Sequence, residues 1–400
     1  MKNKLTIMLA LLLPLPFMVA CGDDDGIDEL LDPGTESDNV EQCKRTVLVY
    51  MVASNSLGSN GYDSDDIAEM KQAMSEYTTG ECRLLLYHAV YNSAPTLTEI
   101  KNDGAGSYQT DTLVTYPSTS QASVTRDRVS QVIADAMEYA PAEDYGLILW
   151  SHATGWARSL TKSVATIRDF GEDSGATMPI DSLADAIPDN AFSFIYADAC
   201  YMGSIEVAYQ LRNKTDYFVG SPTEIPAYGM PYDQNIPCFF EDEPNLTQAC
   251  ENTYTFYRDL ESIDGLSEEY VALYRSVTIS LVDCSMLEEI ASVCRQIHAT
   301  AQAVTSLSSI QHYHLTKPHF LYDFKQYTDL ISSDDTLTAT FDSLLEQMVI
   351  YKACTTSLFG LLTIDEDNYS GLSTYIMGTG SDTNEEYYTT LDWYNDVIAQ

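Results

Sequence analysis

Two residues of this chain make a chemically complete pair if the fold brings them together. His152 follows the apolar run Tyr145-Gly-Leu-Ile-Leu-Trp150, and Cys200 follows Ala191-Phe-Ser-Phe-Ile-Tyr196 and then Ala197-Asp198-Ala199. A thiol beside an imidazole can attack a carbonyl carbon while the imidazole moves protons. Either residue alone has a plainer reading, since free cysteines are among the most buried residue types. The matching contexts argue for chemistry: each residue sits where a strand-like apolar run gives way to polar positions. In a parallel α/β sheet, ligands and catalytic groups gather at the carboxyl ends of strands. A third run, Asp216-Tyr-Phe-Val-Gly220, ends the same way at Ser221-Pro222-Thr223-Glu224.

Such residues meet only if the strands before them lie side by side. Residues 44–52 read as a strand buried on both faces, and 83–87 as the next. Between them, 65–77 carries Ile67, Met70 and Met74 at helical spacing, with acidic residues in its first turn. Residues 96–116 read as a hairpin. Residues 124–140 form an amphipathic helix with Val129, Val132, Ile133 and Met137 on one face, feeding directly into the His152 strand. This rhythm predicts right-handed crossovers and a three-layer αβα sandwich around a mostly parallel sheet. A short helix is expected at 180–187. Another is expected at 202–211, starting directly after Cys200, where a helix N-terminus would favour the thiolate. Beyond about residue 232 the texture turns mostly helical (246–260, 284–304, 341–353) with strands at 276–282 and 372–377. The expected organisation is a leader at 1–20, an acidic tether at 21–43, a catalytic core at 44–232 and an extension of the same fold at 233–400.

The chain has 400 residues, 20 Lys+Arg against 60 Asp+Glu, and a formal net charge of −40. That balance argues against a nucleic-acid partner, whose phosphates would be repelled, and suits an exported protein or one that takes basic ligands. Lys2 and Lys4 precede an apolar run that ends at Ala20 and is too short for a comfortable membrane span. Met18-Val19-Ala20-Cys21 resembles a bacterial lipobox, which makes Cys21 the candidate lipidated residue and membrane anchor. The acidic run after it resembles tags that sort lipoproteins to the outer membrane and the cell surface. Of the nine cysteines, those other than Cys21 and Cys200 show no CxxC pair or zinc spacing and read as core residues before a disulfide framework, with one or two bridges open to an exported protein. His312, His314 and His319 lack a second ligand cluster and read as solvated loop histidines. The 28 tyrosines suggest packing before carbohydrate contact.

With these residues in view, the chain resembles the clostripain-like cysteine peptidases of the caspase-like clan, in a lipoprotein form. The resemblance rests on Val47-Leu-Val-Tyr-Met51 with Ser54-Asn55-Ser-Leu57, on Leu149-Trp-Ser-His152 through Gly155-Trp156, and on Asp198-Ala-Cys-Tyr-Met-Gly203. Ile205-Glu-Val-Ala208, Ser221-Pro-Thr-Glu224, Tyr369-Ser-Gly-Leu-Ser-Thr-Tyr375 and Leu391-Asp-Trp-Tyr394 continue it. Ser54 stands where the family usually has Asp, and Ala153 where the clan usually has Gly. His152 precedes Cys200 by roughly 50 residues, the separation known from caspases. The resemblance implies an endopeptidase with Cys200 as nucleophile, His152 as general acid and base, and the N–H groups of Ala153 and Cys200 as oxyanion donors. It also implies cleavage after Arg or Lys, with Asp198 the first candidate for the acid that selects them and Glu224 the second. Arg158, Lys162 and Arg168 are candidate self-processing sites. The partners implied are protein or peptide substrates. No cofactor is needed for the chemistry. Calcium is implied only by resemblance to some relatives, and the acids at Asp63, Asp65, Asp66, Glu172 and Asp173 lack EF-hand spacing, so no ligands are assigned. The competing expectation is a surface lipoprotein that keeps the scaffold and binds protein or glycan without efficient catalysis.

Overall fold

The structure is a computed structural model that describes residues 42–117, 122–157, 169–263 and 265–399. Its organising strand, β1 (Cys43–Ala53), is an apolar run, and every residue from Val47 on is buried. β1 pairs in parallel with β2 (Cys82–Val90) on one side and β5 (Ala142–Trp150) on the other. β5 pairs in parallel with β8 (Phe192–Asp198), and β8 with β9 (Thr215–Gly220). Antiparallel wings extend this parallel centre. β3 (Thr96–Asn102) and β4 (Tyr108–Thr115) lie beyond β2, and β10 (Thr278–Asp283) and β12 (Val349–Cys354) beyond β9. The sheet order is β12-β10-β9-β8-β5-β1-β2-β3-β4. Small pairs lie outside it: β6 (Phe170–Asp173) with β7 (Ala176–Met178), β11 (Leu321–Asp323) with β15 (Ser373–Tyr375), and β13 (Ser357–Leu358) with β14 (Leu362–Thr363).

Side chains alternate across a strand, so β1 feeds two cores. Leu48 and Tyr50 join the core under α3 (Arg126–Tyr139), α4 (Ile180–Ala186), α5 (Ile205–Leu211) and the later helices Leu287–Ala299 and Asp335–Met348. Val47 and Val49 join the core under α2 (Tyr62–Glu76), α6 (Tyr232–Phe239) and α7 (Leu246–Arg258). A single turn, α1 (Ser56–Ser59), follows β1 at its carboxyl end. The result is an αβα sandwich whose largely helical C-terminal region contributes two strands to the same sheet. The described residues form one compact unit. Among the described residues, no helix is long and apolar enough to cross a membrane.

Three local expectations fail. α5 begins at Ile205, capped by Ser204, whose side chain accepts from the Val207 N–H. Cys200 is therefore not at a helix N-terminus: Tyr201 takes φ +59, a left-handed conformation outside the helical region, and the helix opens four residues later. The stretch 341–353 is helical only to Met348, and Val349, Ile350 and Tyr351 instead open β12, which suits their β-branched and aromatic side chains. Of the histidines at 312–319, His314 is not solvated, while His312 and His319 are half-buried. His314 is buried, its ring stacked on Tyr201 at 4.8 Å and tilted against Phe320 at 4.0 Å, while His312 stacks on His319 at 3.6 Å. Burial pushes the pKa of His314 down to about 3, so it packs as a neutral aromatic ring.

Candidate active site

Register sets the two reactive residues level. In the β5–β8 pairing Trp150 stands opposite Asp198, and His152 and Cys200 each lie two residues beyond that pair. Both chains leave the sheet at the same edge and line one cavity of about 280 Å³, with Leu57, Ala153, Asp198, Glu224 and Ile225 among its walls.

The His152 loop is held by backbone bonds to the chain around β6. The Gly171 N–H donates to the His152 carbonyl and the Thr154 N–H to the Asp169 carbonyl, both at 2.9 Å, and Ala153 bridges Phe170. Neither bond uses the N–H of Ala153. The positive-φ residues do not include Ala153, so alanine sits there without strain. Gly155 matters for a different reason. Its φ is +67, and a Cβ on it would lie 2.4 Å from the carbonyl oxygen of Tyr201, so the two loops touch through this glycine. Trp156 then anchors the loop in the core, its ring 4.9 Å from Tyr375 and 5.2 Å from Tyr388.

Around half-buried Cys200, the Ile225 N–H donates to Sγ at 3.4 Å, and Sγ donates to the Ile225 carbonyl at 3.8 Å. The neighbouring Tyr201 costs about 1 kcal/mol in its left-handed conformation. Three contacts offset that: its N–H donates to the Thr223 carbonyl at 2.8 Å, its hydroxyl to Glu224 Oε1 at 3.0 Å, and its ring stacks on His314. Of the other described cysteines, Cys43 is half-buried at the start of β1, away from this cavity. Cys82, Cys238, Cys250, Cys284, Cys294 and Cys354 are buried and free, and burial pushes the Cys354 thiol up to about 12.

Both acid candidates line the cavity, in unlike settings. Glu224 is half-buried and bound to Tyr201. Asp198 is buried; its Oδ2 accepts from the Met230 N–H at 3.1 Å and the Tyr232 hydroxyl at 3.2 Å. It does not cap α5. Asp66, which accepts from Trp150 Nε1 at 2.6 Å, lies beside it. A Cβ on Gly229 (φ +63) would lie 2.8 Å from Asp198 Oδ2 and 2.9 Å from Asp66 Oδ2. Burial pushes Asp198 up to about 6, and burial next to Asp198 pushes Asp66 well above the usual carboxylate range. Two like charges resist ionising together in so dry a place, so the pair favours holding one proton.

Arg158, Lys162, Arg168 and Cys21 lie outside the described residues. Among the described residues, no group of three or more His, Cys, Asp or Glu side chains is placed to hold a metal ion. Asp63 is engaged with His88 at 2.8 Å, Asp66 with Trp150, and Asp173 with the Ser123 N–H at 2.6 Å. Sequence reasoning missed Asn55, Ser56 and Asp66. Asn55 and Ser56 sat in the quoted Ser54-Asn55-Ser-Leu57 segment, but nothing in their spacing revealed what they touch.

With this geometry in view, the comparisons are direct. A family model described as the Clostripain family matches residues 49–399. A secreted C11 cysteine protease from Bacteroides thetaiotaomicron, in complex with an irreversible peptide inhibitor, is 30% identical with a TM-score of 0.75, over 88% of this chain and 98% of that one. An inactive zymogen C11 protease from Parabacteroides distasonis is 31% identical with a TM-score of 0.75, over 89% and 99%. A second secreted C11 cysteine protease structure from B. thetaiotaomicron is 25% identical with a TM-score of 0.76, over 89% and 99%. No curated protein matches the chain.

Proposed function

The chain belongs to the clostripain family, and from that membership we propose that it is an exported cysteine endopeptidase that cuts after Arg or Lys. The observation that carries the reading is the Trp150–Asp198 register, which brings His152, Cys200 and a buried carboxyl to one cavity. In this reading the Cys200 thiolate adds to the scissile carbonyl carbon, forming the C–S bond, and the oxygen takes the negative charge toward the N–H groups of Ala153 and Cys200. The C–N bond then breaks, and His152 gives its proton to the departing amine. Water, losing a proton to His152, attacks the thioester and releases the acid and the Cys200 thiolate.

Asp198 is the selector for basic residues, with Asp66 behind it as its partner acid. A substrate cation reaching Asp198 favours ionisation of the pair and release of its proton. Glu224 has the weaker claim, because its carboxylate already takes the Tyr201 hydroxyl. Export is supported by the leader-like first 20 residues and by relatives described as secreted; lipidation at Cys21 is part of the proposal. So is self-processing at Arg158, Lys162 or Arg168, which a related zymogen makes reasonable. A cut there would leave its downstream end fastened, since Asp169 and Gly171 are bonded to the His152 loop.

The test is turnover of fluorogenic peptides carrying Arg, Lys or Gln before the cut, beside Cys200→Ala, with a basic chloromethylketone as active-site label. Cleavage after Arg or Lys that vanishes in the variant, with the label on Cys200, is expected. Cys200-dependent cleavage after Gln would keep the peptidase and remove Asp198 as selector. No turnover and no labelling in a processed sample would leave the inactive binding lipoprotein.

A further inference from the structure

The hydroxyl of Ser56 lies 2.7 Å from Nε2 of His152. We propose that Ser56 is a positioning residue: it fixes the His152 ring and leaves Nδ1 as the nitrogen that exchanges protons in the cavity. An imidazole acting on a nucleophile needs a third group to set its orientation and tautomer. A hydroxyl at Nε2 accepts from the N–H there in both the neutral ring and the imidazolium, so it serves through the whole cycle. Unlike a carboxylate it carries no charge, and so holds the ring while favouring its cationic form far less.

The contact is built from both sides. Ser56 opens α1, whose N-cap is Asn55; the Asn55 Oδ1 accepts from the Leu57 N–H at 2.9 Å. The Asn55 Nδ2 donates to the carbonyls of Val52 at 2.8 Å and Glu172 at 2.9 Å, and to Ser151 Oγ at 3.2 Å. Ser151, next to His152, donates its own hydroxyl to the Val52 carbonyl at 2.8 Å and accepts from the Glu172 N–H at 3.1 Å. The backbone on either side of the Ser56–His152 contact is thus tied to one buried hub. Ser56 itself is solvent-exposed, so its hydroxyl can be removed with little effect on the fold.

The inference rests on the peptidase reading, and its test keeps the two apart. Ser56→Ala, Ser56→Thr and Ser56→Asp are compared with the unsubstituted chain in peptide kcat and KM, in thermal stability, and in the pH dependence of Cys200 alkylation by iodoacetamide, which needs no turnover. Ser56→Ala is expected to lower kcat roughly 10-fold with KM little changed, since orientation of a general base contributes only part of its roughly 100-fold effect. Ser56→Thr restores most of the loss. Ser56→Asp raises the pH of the His152 step in the alkylation profile by about one unit, through an opposite charge on the ring. Wild-type kcat and an unmoved alkylation profile in Ser56→Ala and Ser56→Asp would overturn the role. So would a kcat loss that follows melting temperature and is not rescued by threonine. If the unsubstituted chain cuts no peptide, the peptidase reading fails, while the alkylation profile still decides the Ser56 contact.

Discussion

The two loops that carry the reactive residues are held by different physics. The His152 loop is fixed by polar bonds: Asn55 and Ser151 form a buried hub, β6 supplies backbone partners, and Ser56 reaches the ring. The Cys200 loop is fixed by backbone shape. Tyr201 is held left-handed, and the residues around Thr223 to Ile225 wrap the thiol. The first arrangement orients a ring that must present one particular nitrogen. The second presents a small sulfur atom, for which backbone direction alone suffices. The loops meet where Gly155 rests on the Tyr201 carbonyl, so position at that contact is shared by both.

The largest expected effect comes from breaking that contact. Gly155→Ala places a Cβ against the Tyr201 carbonyl at a positive φ, pushing the loops apart; kcat/KM should fall roughly 100-fold, as a misplacement near 1 Å costs elsewhere. Stopped-time peptide assays on folded protein check it, and near wild-type activity would mean the loops are positioned independently.

Next is the polar hub. Asn55→Ala removes the N-cap of α1 and the side-chain donor of the Glu172 carbonyl, leaving the Val52 carbonyl with the Ser151 hydroxyl, and costs about 2 kcal/mol of stability by chemical denaturation. If the two loops really differ in kind, this variant lowers kcat while the alkylation rate of Cys200 well above its own pKa stays near wild type. A matching loss at both readouts would erase the distinction.

The smallest effect lies on the charge carried by the Cys200 side. Asp198 has its folded pKa raised to about 6, above the unfolded value near 4. Its ionised form therefore costs stability, a cost absent below the unfolded value, growing as pH rises and complete above about 6. Asp198→Asn should gain stability over the unsubstituted chain at pH 8 and little at pH 4, read by denaturant melts at both pH values. In activity the sign is opposite: the unsubstituted enzyme should lose affinity for Arg peptides as pH falls through about 6, seen in KM. Asn should remove that dependence along with the preference for Arg over Gln. A preference unchanged in Asp198→Asn would move selection to Glu224.

Much of the scaffold was legible in sequence, because its signals are local. A strand buried on both faces must be a continuous apolar run, and such a run must end in polar residues where it leaves the sheet; β1, β5, β8 and β9 and the residues beyond them follow from that. The helix expected directly after Cys200 was misread because Met202-Gly203 and the apolar residues after it carry a helical pattern that cannot report the φ of Tyr201. Residues 349–353 were misread because their apolar pattern continues that of the preceding helix, and only pairing with β10 makes them a strand.

By itself the sequence determined which chemistry is available: a thiol and an imidazole at two strand ends, acids nearby, and a charge of −40 that disfavours polyanions. Only the tertiary structure decided which partners each group has. Ser56 and His152 are 96 residues apart in the chain, and Asp66 reaches Asp198 from α2, the long helix that follows β1. Spacing along one chain constrains neighbours within an element. Contacts between elements depend on register and on where each loop leaves the sheet, and those are fixed only when the whole sheet closes on its two cores.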